Sequence, residues 1–313
     1  MIAASMWDWC LFGALVVGML MLDLTVSNRG GTSSLPAAAL WSALWTGIGL
    51  LFGLWLALQY GRDAGLTYLA AYLLEETLSV DNLFVFVLIF SLLRIPPACQ
   101  RRVLLWGIVS ALVMRGIMIV AGVYLIQRFH WMIYLFAALL LFAVVRLLFG
   151  EQRERQLVER SCAACSTWVA RFIPVTDRIQ GRRFFVREAG RRVATPLFVA
   201  LAVIETTDIV FALDSIPAVL AITRDPFIVY TSNVFAMLGL RSLYFLLAGA
   251  VERLRYLRQG LAAILGFVAA KMLLEGWVHV STELSLAVMA AILAIVLVAS
   301  LMTPAARASG REP

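Results

Sequence analysis

Lysine, histidine and charge in general are scarce in this chain of 313 residues. Lys271 is the one lysine among 26 basic residues, histidines number two, and charged residues make up 14% against 62% hydrophobic. A soluble domain carries about a quarter charged residues, so a chain living wholly in water is excluded, and the mean hydropathy of +0.91 points to a polytopic membrane protein in a lipid bilayer. The four cysteines, Cys10, Cys99, Cys162 and Cys165, are too few and scattered for a disulfide framework, and one C-x-x-C without a second pair or nearby histidines is a weak zinc or redox signal. No G-x-x-x-x-G-K-[ST] loop occurs, which removes ATP-driven chemistry of that kind. No enzymatic activity and no bound cofactor are expected. The segment Met1–Trp9 contains no lysine or arginine, so the first apolar run reads as a permanent span rather than a cleaved signal. A pI near 9.6 invites a nucleic-acid reading, but no basic face with interleaved aromatics is present, and no nucleic-acid partner is expected.

Nine apolar segments reach bilayer length, about 20 residues each: 10–27, 39–60, 66–93, 103–126, 131–149, 195–222, 227–250, 260–276 and 282–302. The expected organisation is all-α: five transmembrane helices in 1–150, a cytoplasmic loop at 151–194, four more helices in 195–303 and a cytoplasmic tail at 304–313. Nineteen arginines fall on one set of alternate sides and three (Arg62, Arg128, Arg224) on the other. The positive-inside rule then puts the 150–194 loop and the C-terminus in the cytoplasm and the N-terminus outside, as for a protein of a bacterial inner membrane. In that loop, Glu151 to Glu159 is charged enough to extend the preceding helix, and the strand-like halves around Glu188-Ala189-Gly190 fit a small hairpin. Trp41, Trp45, Trp131 and Trp277 stand near predicted interfaces.

Against this background two acidic stretches stand out, Glu75-Glu76-Thr77-Leu78-Ser79-Val80-Asp81-Asn82 and Glu205-Thr206-Thr207-Asp208-Ile209-Val210-Phe211-Ala212-Leu213-Asp214-Ser215. A carboxylate near the bilayer centre costs on the order of 3 kcal/mol on insertion scales, so helices carrying several should face a bundle interior that holds a compensating cation. Each stretch is followed by proline (Pro96-Pro97, Pro217) and then by a span with one embedded arginine, Arg115 or Arg241. The two spans run in opposite senses through the membrane. Such an inverted internal repeat is the plan by which transporters build a site at the midplane. On straight helices Glu205 and Asp208 share a face, but Asp214 lies about 180° from Glu205 and Asp81 about 120° from Glu75. A single site collecting all of them requires broken helices, with Leu213-Asp214-Ser215-Ile216-Pro217 the expected opening, since Pro217 cannot bond the Leu213 carbonyl.

Carboxylates with Asn82, Asn233 and Ser215 make an all-oxygen set, suited to a hard dication such as Mn²⁺, Mg²⁺ or Ca²⁺. His130 and His279 are placed at external span ends and no cysteine neighbours the acids, which disfavours zinc or copper. The metal-site candidates are therefore Glu75, Asp81, Asn82, Glu205, Asp208 and Asp214. The competing structural reading is that these acids form buried ion pairs with Arg115 and Arg241 that only hold helices together; two arginines cannot neutralise five acids. Glu76 points about 100° from Glu75 and Asp23 sits near the cytoplasmic end of the first span; both stand outside the candidate set. Nothing in the sequence sets an oligomeric state.

The 75–82 motif together with Glu-Thr-Thr-Asp-Ile-Val-Phe-Ala-Leu-Asp-Ser-Ile-Pro-Ala (205–218), Thr-Arg-Asp-Pro-Phe-Ile-Val (223–229), Leu-Gly-Leu-Arg-Ser-Leu-Tyr-Phe-Leu-Leu-Ala-Gly (238–249), Phe-Phe-Val-Arg (184–187) and Ala-Thr-Pro-Leu (194–197) resembles the TerC family of integral membrane proteins, most closely its Alx-type members. The family takes its name from tellurium resistance. The resemblance implies manganese export from the cytoplasm, with the intramembrane acids carried over to Glu75, Asp81, Glu205, Asp208 and Asp214. Export of another divalent cation or a cationic solute, and a non-transporting scaffold or sensor in a metal or tellurite stress complex, are the alternatives.

Overall fold

The computed structural model describes residues 4–28, 35–129, 131–149, 151–176, 178–188, 190–247, 256–274, 277 and 280–302. His130, His279 and the 304–313 tail lie outside them, as do the side chains of Asp23 and Arg241. The elements run α1 (Met6–Asn28), α2 (Leu35–Tyr60), α3 (Arg62–Leu92), α4 (Pro97–Arg128), α5 (Met132–Phe149), α6 (Glu151–Phe172), β1 (Phe185–Glu188), β2 (Arg191–Ala194), α7 (Pro196–Leu220), α8 (Pro226–Leu247), α9 (Leu257–Leu274) and α10 (Thr282–Met302). This is an all-α polytopic membrane protein. Helices α2, α4, α5, α7, α9 and α10 are long and apolar enough to cross a membrane, with Met6–Leu22 of α1 a shorter apolar stretch.

Local chemistry sets the starts of these helices. Gly61 alone separates α2 from α3 and holds φ 94°, a left-handed turn that costs glycine nothing. Pro97 and Pro196 open α4 and α7, where a missing N–H breaks no helical bond. Ahead of α8, the Asp225 carboxylate accepts the Phe227 and Ile228 backbone N–H groups at 3.0 and 3.3 Å, an N-cap in front of Pro226. The 151–194 segment is more structured than an extension of the preceding helix. α6 is a 22-residue helix with Val158, Cys162 and Val169 buried, and β1 pairs antiparallel with β2 in the register Phe185↔Ala194 to Glu188↔Arg191.

The interior is built on α3, which packs against α2, α7, α8 and α10. α3 lies on α8 and α4 on α7, while α3 also meets α7 and α4 meets α8. Exchanging α3 with α7 and α4 with α8 leaves this pairing unchanged, the contact pattern that a repeat of the two helix pairs requires. Close approach is achieved by small residues. A Cβ on Gly65 of α3 would stand 2.5 Å from that of Ala57 in α2, and Gly53 lies against the Tyr68 ring. Around this centre α5 packs on α9 and α9 on α10. Trp131 and Trp277 are exposed, as interface residues should be, but Trp45 is buried beside Trp41.

The expected broken helices are not present. α3 is continuous over 31 residues and α7 over 25, with Pro217 held inside the helix. The physical reason is that α7 is surrounded: α4, α3, α5 and α6 all pack on it, so carboxylates at different helical phases each find a neighbour without unwinding.

Candidate functional site

Arg115 of α4 is the largest fully buried side chain and sits between the two acidic helices. Its Nε and Nη2 donate to the two oxygens of Asp208 at 3.2 and 2.9 Å, and its Nη1 donates to Glu75 at 3.2 Å. The forked pairing with Asp208 is the geometry in which a guanidinium binds a carboxylate best. Glu75 and Asp208 are 1% and 6% exposed, so the triad is withdrawn from both water and lipid. Three helices are thereby tied at one point.

A small cavity of about 20 Å³ adjoins the triad, room for about one water-sized particle. Glu75, Asp81 and Asn82 of α3 line it with Asp214 and Ser215 of α7, and Arg115 and Arg146 reach it from α4 and α5. Arg146 donates to Asp214 at 2.5 Å. Arg258, at the start of α9, approaches Asp81 at 3.9 Å. Two further polar groups are buried here: Ser215 Oγ at the cavity, without a hydrogen-bond partner, and the amide of Asn233, the α8 residue beside Glu75. An unsatisfied buried polar group costs about 1–3 kcal/mol, so Ser215 Oγ marks a polar interior rather than a sealed apolar one.

Of the six candidates, Glu75, Asp81, Asn82 and Asp214 line one cavity, and Asp208 joins them through Arg115. Glu205 does not. It turns to α4, where the Ser110 hydroxyl donates to its Oε1, and it is half-buried. Among the described residues no three carboxylate, imidazole or thiol groups lie close enough together to hold a metal ion; their carboxylates are engaged by guanidiniums, and coordination by them requires those pairs to open. Glu76 faces the other way, its Oε1 within 3.9 Å of a Cβ position at Gly239 of α8.

Arg115 is the counter-ion the structural reading of the sequence assigned it. Arg146 and Arg258 are partners that the sequence alone does not single out. Both stand at ends of predicted spans, where an arginine is expected at the headgroups in any case, and only the folded packing turns them inward. Four carboxylates (Glu75, Asp81, Asp208, Asp214) therefore face three guanidiniums, leaving one carboxylate in excess, and Glu205 stands apart on the Ser110 hydroxyl.

The family model for the integral membrane protein TerC family matches residues 60–308. The chain belongs to the TerC family. It is 49% identical over 295 residues to a Myxococcus xanthus protein named "Uncharacterized membrane protein STKORF319", covering 94% of this chain and 92% of that one. It is 44% identical over 300 residues to the Salmonella typhi protein named "Putative membrane-bound redox modulator Alx" (93% and 92% covered) and 42% identical over 295 residues to the Escherichia coli K12 protein of the same name (91% of each). No solved structure matches the chain. Membership accounts for the two acidic motifs, which lie inside the matched region, and for the bilayer environment.

Proposed function

We propose that this TerC-family protein is a secondary transporter that exports divalent manganese from the cytoplasm by alternating access, across nine spans in a bacterial inner membrane with its N-terminus outside and its C-terminus in the cytoplasm. The observation that carries the reading is the gathering of four carboxylates, one more than the guanidiniums that face them, around a cavity of one-ion size, a negative charge that a cation would offset. Glu75, Asp81, Asn82 and Asp214 are the first ligands in this scheme, with Asp208 reached when Arg115 yields. The arginines act as tethered cations: an entering metal competes with Arg146 for Asp214 and with Arg258 for Asp81, and the guanidiniums re-engage the acids as the metal leaves. Oxygen chemistry does not separate Mn²⁺ from Mg²⁺ or Ca²⁺; the family resemblance favours manganese. Glu205, bonded to a hydroxyl, is the carboxyl best placed to exchange a proton, which makes it the seat of proton antiport in this scheme.

The name of the Salmonella typhi and Escherichia coli relatives speaks of redox modulation. The thiols here give that reading little support. Cys162 is buried, which pushes its thiol up to about 11, and a thiol protonated at neutral pH is a poor nucleophile for exchange. Metal flux into proteoliposomes, with Mn²⁺ compared against Mg²⁺ and Ca²⁺, tests the proposal. Saturable Mn²⁺ movement that Asp81→Asn or Asp214→Asn abolishes is the expected result; flux unchanged by both substitutions would overturn it in favour of a scaffold.

A further inference from the structure

A second cavity, of about 480 Å³, opens between α1 and α4, far larger than the one at the carboxylates. Its body is apolar, with Val17 and Met21 of α1 facing Leu105 and Val109 of α4. Its head is cationic: Arg101 and Arg102 from the first turns of α4 and Arg182 from the turn before the hairpin. No acidic side chain lines it among the described residues. Along α4 it extends from Ala98 to Val109, a rise of about 16 Å, close to half of a roughly 30 Å hydrocarbon core.

The cationic head is built rather than incidental. The Arg101 guanidinium lies 5.0 Å from the Phe245 ring centre and that of Arg102 lies 5.4 Å from Phe184, stacking that fixes the position of each guanidinium. The Cys99 thiol donates to the Gly181 carbonyl at 3.4 Å, and Gly181 holds φ 60°. That contact ties the turn to the start of α4 and sets Arg182 beside the other two. The Arg-rich end is also the end assigned to the cytoplasm by the positive-inside rule.

We propose that this cavity is a binding site for an anionic phospholipid, its phosphate held by Arg102 and Arg182 in a head whose positive charge Arg101 reinforces, and one acyl chain lying along α4 as far as Val109. Charge complementarity selects the headgroup, because a zwitterionic lipid would bring a second cation to three guanidiniums. The depth of the cavity selects a lipid over a free anion.

The test uses the full-length protein, delipidated and returned to nanodiscs of phosphatidylcholine with or without phosphatidylglycerol, read by native mass spectrometry of retained lipid and by thermal unfolding. The parent should retain phosphatidylglycerol in preference to phosphatidylcholine and unfold at a higher temperature with it. Since each arginine at a membrane surface contributes about 1 kcal/mol towards an anionic lipid, Arg102→Gln with Arg182→Gln should weaken retention roughly thirtyfold. Val109→Trp, which fills the apolar end without changing charge, should also release the lipid, whereas Arg187→Gln with Arg192→Gln on the hairpin should not. Equal retention of the two lipids by the parent would overturn the proposal without any variant. So would equal loss in the hairpin pair, which means diffuse charge, parental retention in Val109→Trp, which means no acyl chain in the cavity, or full replacement of the effect by inorganic phosphate, which means an anion site only.

Discussion

Removing the Arg115 guanidinium separates the two roles that the buried acids could have. Arg115→Met keeps most of the side-chain volume but leaves Glu75 and Asp208, both nearly inaccessible, as buried charges without a partner. Breaking a buried pair from one side costs about 3–5 kcal/mol, and here one substitution removes three charged hydrogen bonds. In a chain of this size that is a fall on the order of 10 °C in the unfolding temperature of the purified protein, with a matching loss of membrane abundance. Adding Glu75→Gln and Asp208→Asn to Arg115→Met removes the stranded charges, and a neutral triad of similar shape should recover most of the loss, as apolar replacements of buried ion triads do. The recovered triple variant is the decisive protein. It keeps the helix packing but has lost two carboxylates of the site, so it should be stable and inactive in Mn²⁺ flux. A triple variant that folds and still moves Mn²⁺ at the parental rate would refute the ion-binding role of Glu75 and Asp208. If Arg115→Met alone unfolds at the parental temperature, the energetic account of the triad is wrong.

The remaining predictions concern separate parts of the molecule. Asp81→Asn and Asp214→Asn should each leave cells accumulating Mn²⁺ like cells lacking the protein, while Glu159→Gln on α6 should not; intracellular metal analysis at matched expression distinguishes them. Glu205→Gln should preserve downhill Mn²⁺ movement in proteoliposomes but abolish its response to an imposed pH gradient, and an unchanged response would remove Glu205 from the coupling step. Cys162 should react with maleimide at pH 8 far more slowly than Cys165, because burial holds its thiol up to about 11 and the thiolate fraction falls about tenfold for each unit between pH and pKa; the difference should narrow as the pH is raised towards that value. Gly65→Leu, which places a side chain where a single Cβ already stands 2.5 Å from that of Ala57, should separate α2 from α3 and cost about 1–3 kcal/mol of stability, measured as a lower unfolding temperature.

Much of this fold can be read from composition and apolar run length, because a bilayer admits few architectures. A polytopic helical bundle follows once charge is scarce and apolar segments recur at bilayer length. The acids are legible for the same reason: a carboxylate among twenty apolar residues needs a partner, and Glu75 and Asp208 have theirs in Arg115. What helical phase does not disclose is which neighbour each phase will meet. Straight-helix geometry places Asp214 opposite Glu205 and predicts an opening at Leu213. In the folded protein α7 has α4 on one side and α5 on another, and the divergence of the acids is absorbed by different partners: Ser110 and Arg115 from α4, Arg146 from α5. Arg146 and Arg258 escaped recognition because an arginine at a span end looks the same whether it reaches for headgroups or turns inward. The consequence is mechanistic. With the helices continuous, the acids are engaged by their own counter-ions, so on the proposed function the movement that assembles a metal site would not have to unwind α7; it would only have to swing guanidiniums. In the proposed scheme the arginines would set how tightly a cation is held, and replacing Arg146 with glutamine should tighten Mn²⁺ binding while slowing its release, an outcome that equilibrium binding and single-turnover flux would separate.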